Sequence, residues 1–250
     1  MLTESRIEVQ ASIRALMSTL TPMRALGFNK LRIGGRLDGG YVMLNNFPPK
    51  TVCLSLGIGG DVSWDLEMAE RGAIIHQFDH TVAGSPVAHA NFVFNKLKIG
   101  GVDDPQQKVI SLATVVNAIK NDDSLCIMKM DIEDSEWDVL TVTPASVLAA
   151  LDQIVVEFHG LHRMVDPNWR NRMRACFAKL RLTHVPVHVH GNNWGDYAAI
   201  ENVPIPDVVE STFVRRHSYQ FVETTELFPG ELDAPCKADV PDFFLGAFRF

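Results

Sequence analysis

The amino-acid sequence predicts an α/β protein with a doubly wound, mostly parallel sheet, and three observations carry that expectation. Short, almost continuously apolar runs of strand length alternate with helical stretches, the pattern of parallel strands buried on both faces. The 250 residues, 46% hydrophobic and 21% charged, suffice for one large core without disulfide staples. No internal repeat or low-complexity linker divides the chain, and no run approaches the roughly 18 apolar residues of a membrane span.

The elements follow in order. Residues 1–45 read as an N-terminal helical extension: Val9, Ile13, Leu16, Met17 and Leu20 recur at helical spacing, while Glu4, Arg6, Glu8 and Arg14 interrupt any secretion signal. Within it the turn Asp38-Gly39-Gly40 precedes a strand, Tyr41–Leu44. Residues 46–250 form the main domain. Thr51–Leu56 is its first strand and ends in Gly57-Ile58-Gly59-Gly60; a helix over Ser63–Arg71 stops at Gly72. Ala73–Phe78 is the second strand, closed by Asp79, and Asn91–Ile99 the third, followed by a helix over Leu112–Ile119. Ser124–Ile132 and Gln153–His159 are the fourth and fifth. A helix over Trp169–Leu180 leads to a strand His184–His190, and Val208–Arg215 and Phe243–Phe250 supply further strand material. An exposed edge on the last of these leaves homo-oligomerisation open.

Composition narrows the function. Lys and Arg number 23 against 30 Asp and Glu, a net charge of −7, which disfavours broad nucleic-acid binding and attachment to an anionic membrane. The four cysteines, Cys53, Cys126, Cys176 and Cys236, contain no CxxC pair, so neither a disulfide framework nor a cysteine-based zinc site is expected and a reducing cytoplasm is the simplest setting.

Ligands of such sheets bind beyond the carboxyl ends of the strands, where the strand order reverses. There the first strand carries Gly57, Ile58, Gly59 and Gly60, a turn whose backbone can approach a ligand closely. Asp79, followed by His80, closes the second strand, in place to accept hydrogen bonds from both ribose hydroxyls of an adenosine. Val62 occupies the last position of the dinucleotide fingerprint, so an NAD(P)-linked oxidoreductase is the second reading.

Three features together resemble the class I S-adenosylmethionine-dependent methyltransferases, and within them the FkbM-type and related methyltransferase-like group. They are the glycine turn, Asp79 and the segment Lys129-Met130-Asp131-Ile132-Glu133-Asp134-Ser135-Glu136. Arg36 to Val42, Val156-Glu157-Phe158-His159 and His188 to Asn193 agree with it. The resemblance implies a Rossmann-like seven-stranded sheet with an antiparallel C-terminal strand. It implies S-adenosyl-L-methionine held by Gly57, Ile58, Gly59, Gly60, Asp79, His80 and Asp131, with Asp38, Gly39 and Gly40 lining the other side. Two positions depart from the group: Ser55, where the wider class often has an acid, and Asp134, where the group often has glycine. They motivate a third reading, a catalytically inactive cofactor-binding module.

Candidate reacting groups cluster at the ends of the fourth to sixth strands: Asp131, Glu157, His159 and His190. One expectation is Mg²⁺ held by Asp131, Glu157 and His159, with His159 or His190 taking the proton of a hydroxyl on a small polar or sugar-like acceptor. The alternatives are that Asp131 contacts the methionine end of the cofactor and that Glu157 pairs with Lys129 or an arginine. Arg170, Arg172, Arg174, Lys179 and Arg181 read as a solvated helix face.

Overall fold

Seven strands make the central sheet: β1 (Val52–Leu56), β2 (Ile74–Phe78), β3 (Phe92–Asn95), β4 (Cys126–Met130), β5 (Gln153–Phe158), β6 (His184–Gly191) and β7 (Val209–Arg215). The computed structural model describes residues 4–120 and 124–250. The spatial order is β3-β2-β1-β4-β5-β7-β6, so the order reverses between β1 and β4. Neighbours are parallel from β3 through β5, and β7 runs antiparallel to both β5 and β6. The expected sheet, with its antiparallel C-terminal strand, is present.

The helices are α1 (Arg6–Met17), α2 (Ser63–Glu70), α3 (Leu112–Ile119), α4 (Glu136–Val142), α5 (Ala145–Leu148) and α6 (Pro167–Thr183). Local chemistry sets their starts. Ser5 and Glu8 form a reciprocal capping box on α1, Ser111 caps α3, and Asp166 caps α6 ahead of Pro167. Alternate strand residues then serve opposite faces. Leu54, Leu56, Met128, Met130, Ile154 and Val156 pack under α1 and α3–α6, whereas Cys53, Ile127 and Val155 meet Trp64 and Met68 of α2. The second face is completed by a ribbon, Lys30–Ile33 paired antiparallel with Tyr41–Leu44, which buries Ile33, Tyr41 and Met43. The first 45 residues thus hold this ribbon as well as α1. Ile13, Leu16 and Met17 of α1 are part of the main core. No helix of the described residues is long and apolar enough to cross a membrane.

Three expectations change. Phe243–Phe250 is not a strand: Gly246 turns with φ +63°, its only strand-like pairing is a single bridge between Gly246 and Phe228, and Phe248 plugs the core. Asn91–Ile99 breaks in two because a tight turn, with Leu97 N–H donating to Asn95 O, redirects Lys98–Gly100 to pair with Val109–Ser111. Arg170 is buried rather than solvated; its guanidinium caps the Met164 and Val165 carbonyls and pairs with Glu4.

His184, at the start of β6, gives a pH-dependent stability. It is fully buried, with Nε2 2.9 Å from the Leu151 carbonyl and Nδ1 2.8 Å from Thr183 Oγ1, which suits a neutral ring donating through Nε2. Burial, against the Leu151 hydrogen bond and with Arg215 and Arg216 beside it, pushes its pKa down to about 4. Asp152 pairs with Arg215 at 3.1 Å. The unfolded chain protonates this ring near its ordinary value, so the stability due to neutral His184 is complete above about pH 6.5 and falls by about 3 kcal/mol as pH drops toward 4. Urea midpoints across that window should fall less steeply for His184→Gln than for the natural chain.

Candidate active site

A cavity of about 500 Å³ opens at the carboxyl ends of β1, β2 and β4, beside the reversal of strand order. Gly57 sets its floor. Its φ is +75°, and a Cβ there would sit 1.7 Å from the Asp131 carbonyl oxygen, so only glycine lets the end of β1 lie this close to β4. The β1 and β4 ends are tied by Asp131 N–H donating to Leu56 O at 2.9 Å, and the β1 and β2 ends by Gly57 N–H donating to Phe78 O at 2.9 Å. Gly59 and Gly60 are different: nothing lies within 4 Å of where their Cβ atoms would be. Their backbone faces open space of the kind a close-lying ligand fills.

Asp79 holds this loop. Its Oδ2 accepts from the Ile58 and Gly59 amides, each at 3.0 Å, and its Oδ1 accepts from Thr81 N–H at 2.7 Å and Thr81 Oγ1 at 2.6 Å. Burial opposes its ionisation, but the bonds from Thr81, Gly59 and Ile58 outweigh it and hold its pKa down at about 2. All four lone-pair positions of the carboxylate are used inside the protein.

Nine of the ten residues expected at the cofactor line this one cavity: Asp38, Gly39, Gly57, Ile58, Gly59, Gly60, Asp79, His80 and Asp131. Gly40 does not. A Cβ on it would collide with the Gly35 carbonyl at 2.0 Å, so it serves the tight loop over residues 34–40 that joins the ribbon strands. That loop reaches the cavity by clasping the start of α2: Gly35 N–H donates to Ser63 Oγ at 2.8 Å, and Gly34 N–H to Glu67 at 2.8 Å. Ser55, lacking an acid of its own, donates to Asp65 of α2 at 3.1 Å, a buried carboxylate also held by Gln77.

At the end of β4, Lys129 is buried; its ammonium donates to the Gly57 carbonyl and lies 3.9 Å from Asp131. The chain then turns through two left-handed residues, Glu133 at φ +51° and Asp134 at φ +73°. The second explains why glycine suits that position and why aspartate, a residue that tolerates this region, can stand there. Glu136 opens α4 fully buried, accepting from Ile132 N–H at 2.9 Å and lying 3.2 Å from His159 Nδ1. His159 Nε2 is 3.5 Å from Glu157, 3.6 Å from Glu133 and 3.9 Å from Asp131. Burial works against protonation of His159, but the Glu136 hydrogen bond and the carboxylates of Glu157 and Asp131 overcome it and raise the pKa to about 10. Glu157 is bonded by Asn192 Nδ2 at 2.7 Å, rather than by Lys129 or an arginine, and burial with Asp131 and Glu210 nearby pushes its pKa well up. The same causes, burial first and then Glu210 and Asp131, bring Asp38 up to about 6.

The remaining expectations separate from the cavity. Glu157, His159 and His190 do not line it. His190 is buried between Glu210, 3.0 Å from Nδ1, and Asp242, 3.0 Å from Nε2. His188 is buried between Lys30 and Asp233. Among the described residues, potential ligand atoms gather within 4.8 Å of one another in Asp131–Glu133–His159, in Asp38–Glu157–Glu210 and in His190–Glu210–Cys236, so Asp131 and Glu157 fall in separate groups. The expected Mg²⁺ set of Asp131, Glu157 and His159 therefore meets only through His159. The His159 ring is engaged through Nδ1 by Glu136 at 3.2 Å, and an imidazole is a poor ligand for a hard, oxygen-preferring cation. The residues do not fit that ion, and no step is derived through it.

Some cavity residues escaped the sequence reading. Phe78, Leu97 and Ile99 supply apolar walls and Thr81 a polar one, beside Lys129 and Glu133 of the motif already singled out. Leu97 and Ile99 were hidden because the run they belong to reads as one strand. Glu136 lies in a recognised segment, but its burial against His159 depends on α4 folding back over β5.

The strand order, the glycine turn after β1 and the acid after β2 together define a Rossmann-like α/β fold. No protein-family profile matches the chain. It is 26% identical over 116 residues to the human "Probable methyltransferase-like protein 24", an alignment spanning 42% of this chain and 31% of that protein. The match thus spans about a third of the length of that relative. Among solved structures, the chain aligns with the fibrillarin/Nop5p complex at 9% identity and a TM-score of 0.40, covering 78% of this chain and 98% of that one. Spermidine synthase from Thermotoga maritima aligns at 12% identity and a TM-score of 0.36, over 75% and 62% of the two chains.

Proposed function

We propose that the chain is an S-adenosylmethionine-dependent methyltransferase, FkbM-type in its motifs, that methylates an oxygen of a small polar or sugar-like acceptor. The observation that carries this reading is the convergence of nine motif residues from four separate segments on one cavity at the strand-order reversal. When bound, S-adenosylmethionine supplies an electrophilic methyl group. The open space at Gly59 and Gly60 suits a ligand that lies against the backbone. Asp79 takes a ribose diol by exchanging the Thr81 hydroxyl for it, while keeping the Ile58 and Gly59 amides. Phe78, Leu97 and Ile99 offer a flat base apolar surface. Asp131, the cavity-lining carboxylate flanked by Lys129 and His159, is placed to take the acceptor's proton; His159 orients it and is in turn fixed by Glu136.

The cavity wall carries five carboxylates (Asp38, Asp61, Asp79, Asp131 and Glu133) against two lysines (Lys98 and Lys129). That balance supports an uncharged small-molecule acceptor over nucleic acid. All four cysteines are free and buried, which suits a reducing cytoplasm. Calorimetry with S-adenosylhomocysteine and with NAD tests the reading: the first is expected to bind and the second not. Binding of NAD alone would replace this function with the oxidoreductase one. Binding of S-adenosylhomocysteine with no labelled methyl transferred to any component of a polar metabolite extract would leave a cofactor-binding module.

A further inference from the structure

Antiparallel pairing of β6 with β7 sets His190 directly opposite Glu210. The chain after β7 then returns and brings Cys236 to the same place, its thiol donating to Glu210 Oε1 at 3.1 Å. A ring nitrogen of His190, a carboxylate oxygen of Glu210 and Cys236 Sγ all lie within 4.8 Å of one another, and all three residues are buried. The other His190 nitrogen faces both oxygens of Asp242 at 3.0 Å.

We propose that this cluster is a zinc site, with the Cys236 thiolate, His190 Nδ1 and the Glu210 carboxylate as ligands. A mixed sulfur, imidazole and carboxylate set matches the borderline softness of Zn²⁺ and is foreign to Mg²⁺ or Ca²⁺. Asp242 plays the outer role that zinc-bound histidines need, accepting from the second ring nitrogen and so aiming the first at the ion. Cys236 Sγ and His190 Nδ1 approach the two oxygens of Glu210 at 3.1 and 3.0 Å, so the three donor groups already face one another.

Two further facts separate this cluster from an ordinary buried polar group. Cys53, Cys126 and Cys176 belong to apolar core clusters, whereas Cys236 belongs to none and directs its thiol at the Glu210 carboxylate. The chain beyond Glu223 contains no helix and no strand, yet it supplies both Cys236 and Asp242. A metal bridging β6, β7 and this tail anchors it across the sheet, and Cys236 O also accepts the amide of Asp38 in the cavity wall at 3.2 Å. Three protein ligands leave the fourth position to water or to Asp38 or Glu157, whose carboxylates gather with that of Glu210 within 4.8 Å.

The site is tested on the full chain, expressed with zinc in the medium and dialysed exhaustively against metal-free buffer. Elemental mass spectrometry is expected to find stoichiometric zinc, reduced at least about tenfold in Cys236→Ala and in Glu210→Gln and retained in Cys126→Ala. Cobalt loaded in place of zinc is expected to show thiolate-to-metal charge transfer that Cys236→Ala abolishes. If the variants fail to fold, the natural chain decides the matter alone. Folded protein free of zinc, or cobalt bound without a thiolate band, overturns the proposal, as does zinc that persists in folded Cys236→Ala. None of these readouts depends on methyl transfer, so the outcome is independent of the function proposed above.

Discussion

Gly57→Ala should cost the fold about 4 kcal/mol and abolish binding of S-adenosylhomocysteine with it. Two terms add. A residue with a Cβ at φ +75° carries a left-handed penalty of about 1 kcal/mol. The new methyl would also stand 1.7 Å from the Asp131 carbonyl oxygen, a backbone atom that cannot swing aside, so β1 and β4 must part and overpacking contributes about 3 kcal/mol more. Gly59→Ala is the control. Its φ is +48°, but no atom lies within 4 Å of the added methyl, so the cost to the fold should stay near 1 kcal/mol. What Gly59→Ala should lose is affinity, because the methyl occupies space where the ligand lies. Urea unfolding and calorimetry with S-adenosylhomocysteine separate the two: the first variant fails both, the second only the binding test. Equal stability of Gly57→Ala and the natural chain would refute the role assigned to the β1–β4 approach.

The sheet was legible because β1, β4 and β5 are buried along their whole length and read as unbroken apolar runs. The glycine turn and Asp79 were legible because each sits where a parallel strand must end. Elements whose identity depends on distant partners were not. Phe243–Phe250 has the apolar content of a strand, but its phenylalanines fill gaps in a core built by other segments, and the backbone follows them. His159 looks like a base in sequence; only the folded chain surrounds it with Glu136, Glu157, Glu133 and Asp131, which raise its pKa and turn the ring toward holding those carboxylates. His190 likewise ends a strand with the right periodicity, but the register of β6 against β7 turns it toward Glu210 and away from the cavity. Cys236 lies 46 residues beyond His190, with no spacing motif between them, and the return of the tail alone joins them.

Asp79→Ala should weaken binding of S-adenosylhomocysteine by about 100-fold or more, and it should do so by two routes that can be told apart. The carboxylate accepts four hydrogen bonds, and those from Ile58 and Gly59 fix the loop on which the ligand rests. Removing a charged acceptor of this kind leaves the buried Ile58 amide unpaired and frees that of Gly59, at about 1.5–3 kcal/mol for each bond to a charge. It also removes the partner proposed for the ribose. Asp79→Asn separates these contributions, since its carbonyl can keep the Ile58 and Gly59 amides while its NH₂ cannot accept from Thr81 or from a ribose hydroxyl. The asparagine variant should therefore recover most of the stability lost in the alanine variant but little of the affinity. The acid limb gives an internal check. With the folded pKa near 2 and the ordinary carboxyl value near 3.8, the stability due to Asp79 is complete above about pH 4 and disappears as pH falls through 2. That slope should be shallower in both variants. Undiminished affinity in Asp79→Asn would mean that the carboxylate holds only the loop, and the ribose contact would have to be assigned elsewhere on the cavity wall.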